Sequence, residues 1–239
     1  IVVDAGSTDA GPHKLGANVS IVSRMALKKD LQAMIAKGLE HKIPVIIGSA
    51  GGAGAKSHVE QTIEVIQEIL QEMNKHAKLG IIWADFSQQE IIEALNEKRI
   101  SPLSEDIPAL TIEKIEQTHT IVAQMGHEPF VQALESGCDI IIGGRSYDPS
   151  PFAALGIFHG MDAGLSYHLG KILECGALCA TPGTTKDCIL GTITEDSFQV
   201  RALNPIRTCS PTSVAAHTFY KKEHPFILHG PCFTLNLEN

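Results

Sequence analysis

Five apolar stretches of the chain each run directly into a glycine, an acidic residue or an arginine. IVVDAGSTDAGP starts at Ile1, VIIGSAGGAGAKSH at Val45 and CDIIIGGRSYDPSP at Cys138, with weaker copies in GIIWADFSQQE from Gly80 and HTIVAQMGHEP from His119. Buried strands of a parallel sheet read as short apolar runs of this kind. Helical spacing lies between them. Ser23–His41 carries a stripe of Met25, Leu27, Leu31, Met34, Ile35 and Leu39 behind Ser23 as its cap, and Ser57–Lys75 and Gln88–Glu97 follow the second and third strands. Ile100–Leu110, with Pro102 and Pro108, reads as a surface excursion, and Thr111 caps a short helix to Gln117. His119–Ala123 is a fourth strand, Glu128–Glu135 a helix and Cys138–Ile142 a fifth strand. Helices over Pro149–Phe158, opened by Asp148 or Ser146, and Gly164–Cys179 come next.

The alternation then stops near residues 181–186. CILGTITEDSFQVRAL reads as a β-hairpin turning at Glu195–Ser197, and Pro211–Lys221 as a helix. The expected fold class is therefore α/β: a mainly parallel, Rossmann-like sheet flanked by helices, with the start of a second β-rich portion at the C-terminal end. Residues 1–185 form the first domain. Residues 186–239 form a hairpin plus helix, part of a second α+β portion that continues beyond this chain. The chain lacks an initiator Met and both its ends look like strand, so a segment of a longer protein is expected.

Composition narrows the function classes. With 239 residues, 44% hydrophobic and 19% charged, the chain suits a globular core and not disorder. A formal charge of −8 and a pI near 5.7 argue against nucleic-acid binding. No apolar run approaches a membrane span. Six cysteines without a secretory signal are expected to be reduced, with the cytoplasm as default location.

The strand-to-helix turns carry the candidate chemistry. Gly48–Lys56 places Ser49, Gly51, Gly52 and Gly54 at a helix start, where backbone N–H groups can hold an anion. Its spacing is neither a nicotinamide-dinucleotide nor a Walker fingerprint, so the cofactor is unknown. A tight turn without a ligand is the plain alternative. Asp4 and Asp9 share one loop and could orient a hydroxyl, act as acid and base, or hold a divalent cation; ordinary turn chemistry is the other reading. Gly144 and Arg145 leave the fifth strand. Arg145 is a fork for carboxylate or phosphate, or else a brace for Asp148. His127, beside Glu128, is the best-placed titratable histidine. His168, Cys175 and Cys179 share a helical face at i, i+7 and i+11, read as packing, with Glu174 or Cys175 turned toward the site. No metal-ligand cluster is legible.

Six blocks, DAGSTDAGPHKLG, IIGSAGGAGAKSH, HTIVAQMGHEPF, CDIIIGGRSYDPSPFAAL, KILECGAL and NPIRTCSPTSVAAHTFY, resemble in this order the acyclic terpene utilisation family of AtuA type. The resemblance implies microbial catabolism through acyl-CoA intermediates, a small partner protein, and recurring polar positions at Asp4, Asp9, Ser49, Gly51, Arg145, Asp148, Glu174 and Cys175. Relatives tend to have an aromatic where this chain has His13. The expectation is a catabolic enzyme or main enzyme subunit acting on a small carboxylate or acyl-CoA thioester by lyase, hydratase or isomerase chemistry. Gly51–Gly54 and Arg145 would hold the anion, Asp4 or Asp9 a hydroxyl or cation, and His127 or Asp148 a moving proton. The alternative is a non-catalytic subunit binding an acyl-CoA or nucleotide. Expected partners are a small anionic substrate, a small subunit and further copies of the chain, with no nucleic acid and no membrane.

Overall fold

The computed structural model describes residues 1–8, 11–219, 224–231 and 233–238. In chain order its strands are β1 (Val2–Asp4), β2 (Val45–Gly48), β3 (Leu79–Ile82), β4 (Asp85–Phe86), β5 (Ile121–Val122), β6 (Ile140–Gly143), β7 (Ile189–Ile193), β8 (Phe198–Ala202), β9 (Ile227–Gly230) and β10 (Phe233–Asn236). The helices are α1 (His13–Gly16), α2 (Arg24–His41), α3 (Lys56–Glu72), α4 (Gln88–Asn96), α5 (Ile112–Glu116), α6 (Glu128–Glu135), α7 (Ser150–Phe158), α8 (Ala163–Leu173) and α9 (Pro211–Thr218).

Four strands make one parallel sheet in the order β1-β2-β6-β3, with Val2, Ile46, Ile141 and Gly80 side by side. Alternate residues of β2 and β6 face opposite ways. Val45, Ile47, Ile140 and Ile142 pack with Leu31 and Ile35 of α2 and Val59, Ile66 and Ile69 of α3. Ile46 and Ile141 pack with Phe130 and Leu134 of α6 and Ala154 of α7. Helices on both faces explain why these strands are continuously apolar rather than alternating. β2 leads into α3 on one face and β6 into α7 on the other, and both turns lie at the C-terminal edge of the sheet, where ligands of such folds sit.

The expected caps are in place at two helices: Ser23 Oγ accepts from the Ala26 N–H at 3.3 Å, and Thr111 Oγ1 from the Lys114 N–H at 3.3 Å. The hairpin is β7 and β8, antiparallel, with Thr194 N–H donating to Ser197 O across the turn. A second hairpin, β9 and β10, follows. α8 joins the parts, packing against α7 on one side and β7, α9 and β10 on others. No helix among the described residues is long and apolar enough to cross a membrane.

Three expectations need correction. The fourth apolar run forms only the two-residue β5, which pairs antiparallel with β4 outside the main sheet. It is half-exposed, and the run from Cys138 takes the sheet position beside β3 instead. Asp148 and Ser146 do not cap α7: the N-cap is Pro149, which offers no side-chain hydrogen bond, because Asp148 is held by Arg145. The helix expected to reach Cys179 ends at Leu173, with Gly176 at φ +61° beyond it, so Cys175 and Cys179 share no helical face with His168. Tyr220 and Lys221, the end of another expected helix, lie outside the described residues, as does Cys232.

The closest backbone approach joins the β2 and β6 turns. Gly54 sits at φ +66°, and a Cβ there would lie 2.2 Å from the Arg145 backbone nitrogen. At Gly144 a Cβ would lie 2.8 Å from the Ala84 nitrogen and 2.9 Å from Gly54 O. Gly54→Ala is therefore expected to cost about 3 kcal/mol in urea unfolding. Gly160→Ala, at φ +77° but facing open space, should cost about 1 kcal/mol. Equal costs would show that the turns have room to separate.

Candidate functional site

Ser49 opens the β2 turn in left-handed backbone, φ +48°, a conformation that costs an L-residue about 1 kcal/mol. Its buried hydroxyl makes up part of that cost: Oγ accepts from the Ser146 N–H and donates to Ser146 O, both at 3.2 Å. The Ser49 and Ala50 N–H groups donate to Gly144 O and Gly143 O, and the Arg145 N–H donates to Gly54 O. The glycine N–H groups are committed in the same way. Gly52 donates to Ser49 O, Gly54 to Ala50 O and Gly144 to Ile82 O, while Gly51 O accepts from Ile21. Residues 49–55 are buried throughout. Of the expected anion cradle at Gly51–Gly54, the Gly52 and Gly54 N–H groups are therefore used within the turn, as is that of Gly144 beside it.

Those side chains form a charged cluster at the sheet edge. Asp4 leaves β1, Arg145 and Asp148 leave β6, and Lys171 and Glu174 come from the end of α8. One oxygen each of Asp4, Asp148 and Glu174 lies within 4.8 Å of the others. Arg145 Nη2 donates to Asp148 Oδ1 at 2.7 Å, and Lys171 Nζ donates to Glu174 Oε1. The Lys171 and Glu174 side chains are only 6% and 3% exposed, and Asp148, at 23%, is nearer the mouth. Asp4 Oδ1 accepts from the Gly6 N–H at 3.0 Å. Arg145 Nη1 is buried and has no hydrogen-bond partner among the described residues.

Three carboxylates meet two cations here, and desolvation decides the protonation. Burial pushes Glu174 up from the usual 4.5 to about 7; Lys171 pulls it down by its charge and hydrogen bond, and Asp148 adds to the rise. Asp4 is raised well above its ordinary range, first by burial and then by Asp148, against the opposing pull of the Gly6 hydrogen bond and Arg145. The two raised carboxyls, Asp4 and Glu174, lie close enough to influence one another's protonation. The spacing is one at which the trio could hold a metal ion, but Arg145 and Lys171 already supply positive charge to Asp148 and Glu174.

An aromatic wall adjoins the cluster. Tyr147, directly after Ser146, is held protonated by burial and by Glu174 and Asp148. Phe233 of β10 lies 5.8 Å from its ring and stacks on Tyr167 at 3.7 Å. Tyr167 Oη lies 2.8 Å from His127 Nδ1, and Glu128 Oε2 is 3.8 Å from the same nitrogen.

Of the residues singled out from sequence, Asp4, Ser49, Arg145, Asp148 and Glu174 come together, and His127 joins them through Tyr167. Cys175 follows Glu174 in the turn and is half-buried. Asp9 lies outside the described residues, so the Asp4–Asp9 cation pair has no geometry here; the carboxylates beside Asp4 are Asp148 and Glu174. Sequence reasoning passed over Lys171, Tyr167 and Tyr147. A signal was available, since Tyr167, Lys171 and Glu174 fall at i, i+4 and i+7, one face of a helix.

The family model described as acyclic terpene utilisation family protein AtuA matches residues 24–194. That span takes in the β2 and β6 turns, His127, Lys171 and Glu174, and leaves out Asp4. No curated protein and no solved structure gives a significant match.

Between pH 4.5 and about 7 the native Glu174 keeps a proton that the unfolded chain has already released. Raising pH through that window should therefore lower stability, with the loss complete above about 7. Asp4, Asp148, Lys171, Arg145 and Tyr147 surround the same carboxyl. Glu174→Gln should flatten the melting temperature between pH 5 and 8. A wild-type melting temperature that rises across this range would contradict the raised carboxyl.

Proposed function

The chain belongs to the acyclic terpene utilisation (AtuA) family, and from that premise we propose that it is a catabolic enzyme, or the main subunit of one, that acts on a small carboxylate or acyl-CoA thioester by acid–base chemistry. One observation carries this reading: three part-buried carboxylates stand against two buried cations, while the Arg145 Nη1 donor has no partner among the described residues. Buried charged donors are rarely left unsatisfied, so an orphan donor beside this cluster suits a ligand oxygen. In this reading Arg145 holds the carboxylate or carbonyl oxygen of the substrate. A proton of Glu174 or Asp4 moves to or from a neighbouring carbon or hydroxyl. A lyase, hydratase or isomerase needs this combination and no nucleophile. The Glu174 carboxyl, raised toward neutrality, suits either direction of transfer.

A second reading, a binding subunit for an acyl-CoA or nucleotide, draws support from another point on the same edge. Lys56 opens α3 and lies 5.8 Å from the ring centroid of the exposed Trp83, a flat aromatic beside a cation.

Turnover against a panel of carboxylates and CoA thioesters separates the two. Glu174→Gln should lower kcat by about 100-fold or more, and Arg145→Ala should lower kcat/KM by about 10- to 100-fold. Turnover unaffected by both substitutions would remove the cluster from the chemistry, and binding without turnover in the wild type would favour the subunit.

A further inference from the structure

Tyr167 is one of the largest fully enclosed side chains of the molecule, yet its hydroxyl reaches a partly exposed histidine from another element. Three features fix that contact. Phe233 stacks on the Tyr167 ring at 3.7 Å with 22° between planes, so the phenol cannot swing. The His127 ring meets Tyr167 edge-on, at 82°, with centroids 5.6 Å apart. Tyr167 Oη lies 2.8 Å from His127 Nδ1, and Glu128 Oε2 lies 3.8 Å from the same nitrogen. The phenol oxygen can donate to or accept from Nδ1, whereas the Glu128 carboxylate has no proton to give, and its charge tips the ring toward the form with its proton on Nδ1.

We infer that Tyr167 and Glu128 are positioning residues that hold His127 with Nδ1 protonated, so that the bare Nε2 serves the adjoining carboxylate site as a general base. This rests on the function proposed above and deepens it by giving the site two proton-transfer groups instead of one. Tyr167 occupies the same α8 face as Lys171 and Glu174, and Phe233, stacked on Tyr167, lies 5.8 Å from the ring of Tyr147, which directly precedes Asp148. The dyad and the cluster therefore border one wall. A proton leaving a substrate carbon or an attacking water goes to Nε2, and the resulting imidazolium charge lies beside Glu128. The cluster proton on Glu174 goes to the substrate oxygen or carbon that gains the electron pair. A base oriented through its second nitrogen by an oxygen acceptor is the general arrangement of activated histidines.

The experiment reads the tautomer directly on the ligand-free protein, by nitrogen-15 NMR of histidine-labelled chain at a pH where imidazole is neutral. Wild type should show His127 with Nδ1 protonated and Nε2 bare. Tyr167→Phe keeps the ring stacked on Phe233 and removes only the hydroxyl, and it should shift the tautomer ratio about five-fold toward Nε2–H. Glu128→Gln, an exposed substitution that leaves the core untouched, should shift it the same way. A wild-type spectrum with Nε2 protonated would overturn the inference, as would an unchanged ratio in both variants. Because this readout needs no substrate, its failure is distinct from loss of turnover in Glu174→Gln and Arg145→Ala, which tests the carboxylate cluster alone.

Discussion

Where the chain leaves β2 and β6, two turns lie backbone against backbone, exchanging hydrogen bonds between Ser49, Ala50, Gly54 and residues 143–145. No side chain fits between them. Gly54 and Gly144 leave only hydrogen at the crossing, and the buried Ser49 hydroxyl ties the outer end through Ser146. The crossing sets where Arg145 begins, and so where its guanidinium meets Asp148. It also sets the direction in which α7 departs, and α7 carries α8 with Lys171 and Glu174. A backbone held by six or more internal hydrogen bonds has little slack.

The charge distribution then follows from burial. Taking a carboxylate out of water costs more than one neighbouring cation returns unless geometry is very good and every remaining lone pair is met. At Glu174 the ammonium of Lys171 is in contact, and desolvation still prevails. Asp4 has no direct cation within bonding distance among the ion pairs of the cluster, and one backbone N–H does not offset its burial. The site accordingly retains protons near neutral pH that exposed carboxylates would have lost. Such a cluster weakens the fold as pH rises.

Much of this was legible in the sequence for a simple reason. β2 and β6 are apolar on both faces because helices cover both, so their runs stand out, and the turns that follow them are short enough that Ser49, Arg145 and Asp148 keep a fixed relation to the strand ends. The caps at Ser23 and Thr111 and the hairpin turn at 195–197 are local effects carried by the residues themselves. What escaped was tertiary. The run at His119–Ala123 has strand composition, but the place beside β3 is taken by β6, and sequence alone does not say which run inserts. The charge at the end of α8 was half-read: Glu174 was singled out, while Lys171 and Tyr167 on the same face were missed. The helix was carried on to Cys179, and that extension drew attention to the wrong stripe. The glycine spacing suggests free N–H groups, but the way the turn folds back on itself, with Gly52 and Gly54 donating to Ser49 O and Ala50 O, is not legible in a motif.

The C-terminal elements change how the site must be regarded. β10 is remote in sequence from the sheet, yet Phe233 is the ring against which Tyr167 stacks and beside which Tyr147 lies. Tyr167 in turn holds His127, which stands at the start of α6 on the other side of the molecule's chain path. The parallel sheet therefore supplies the anchor and the carboxylates, and the hairpin of β9 and β10 supplies the apolar backing that keeps the phenol and imidazole in place. An aromatic ring is well suited to that work, since it excludes water from one side of Tyr167 without offering its hydroxyl a competing partner. Removing that backing would leave the charged cluster standing and free the histidine to turn, so the two halves of the site depend on different parts of the chain.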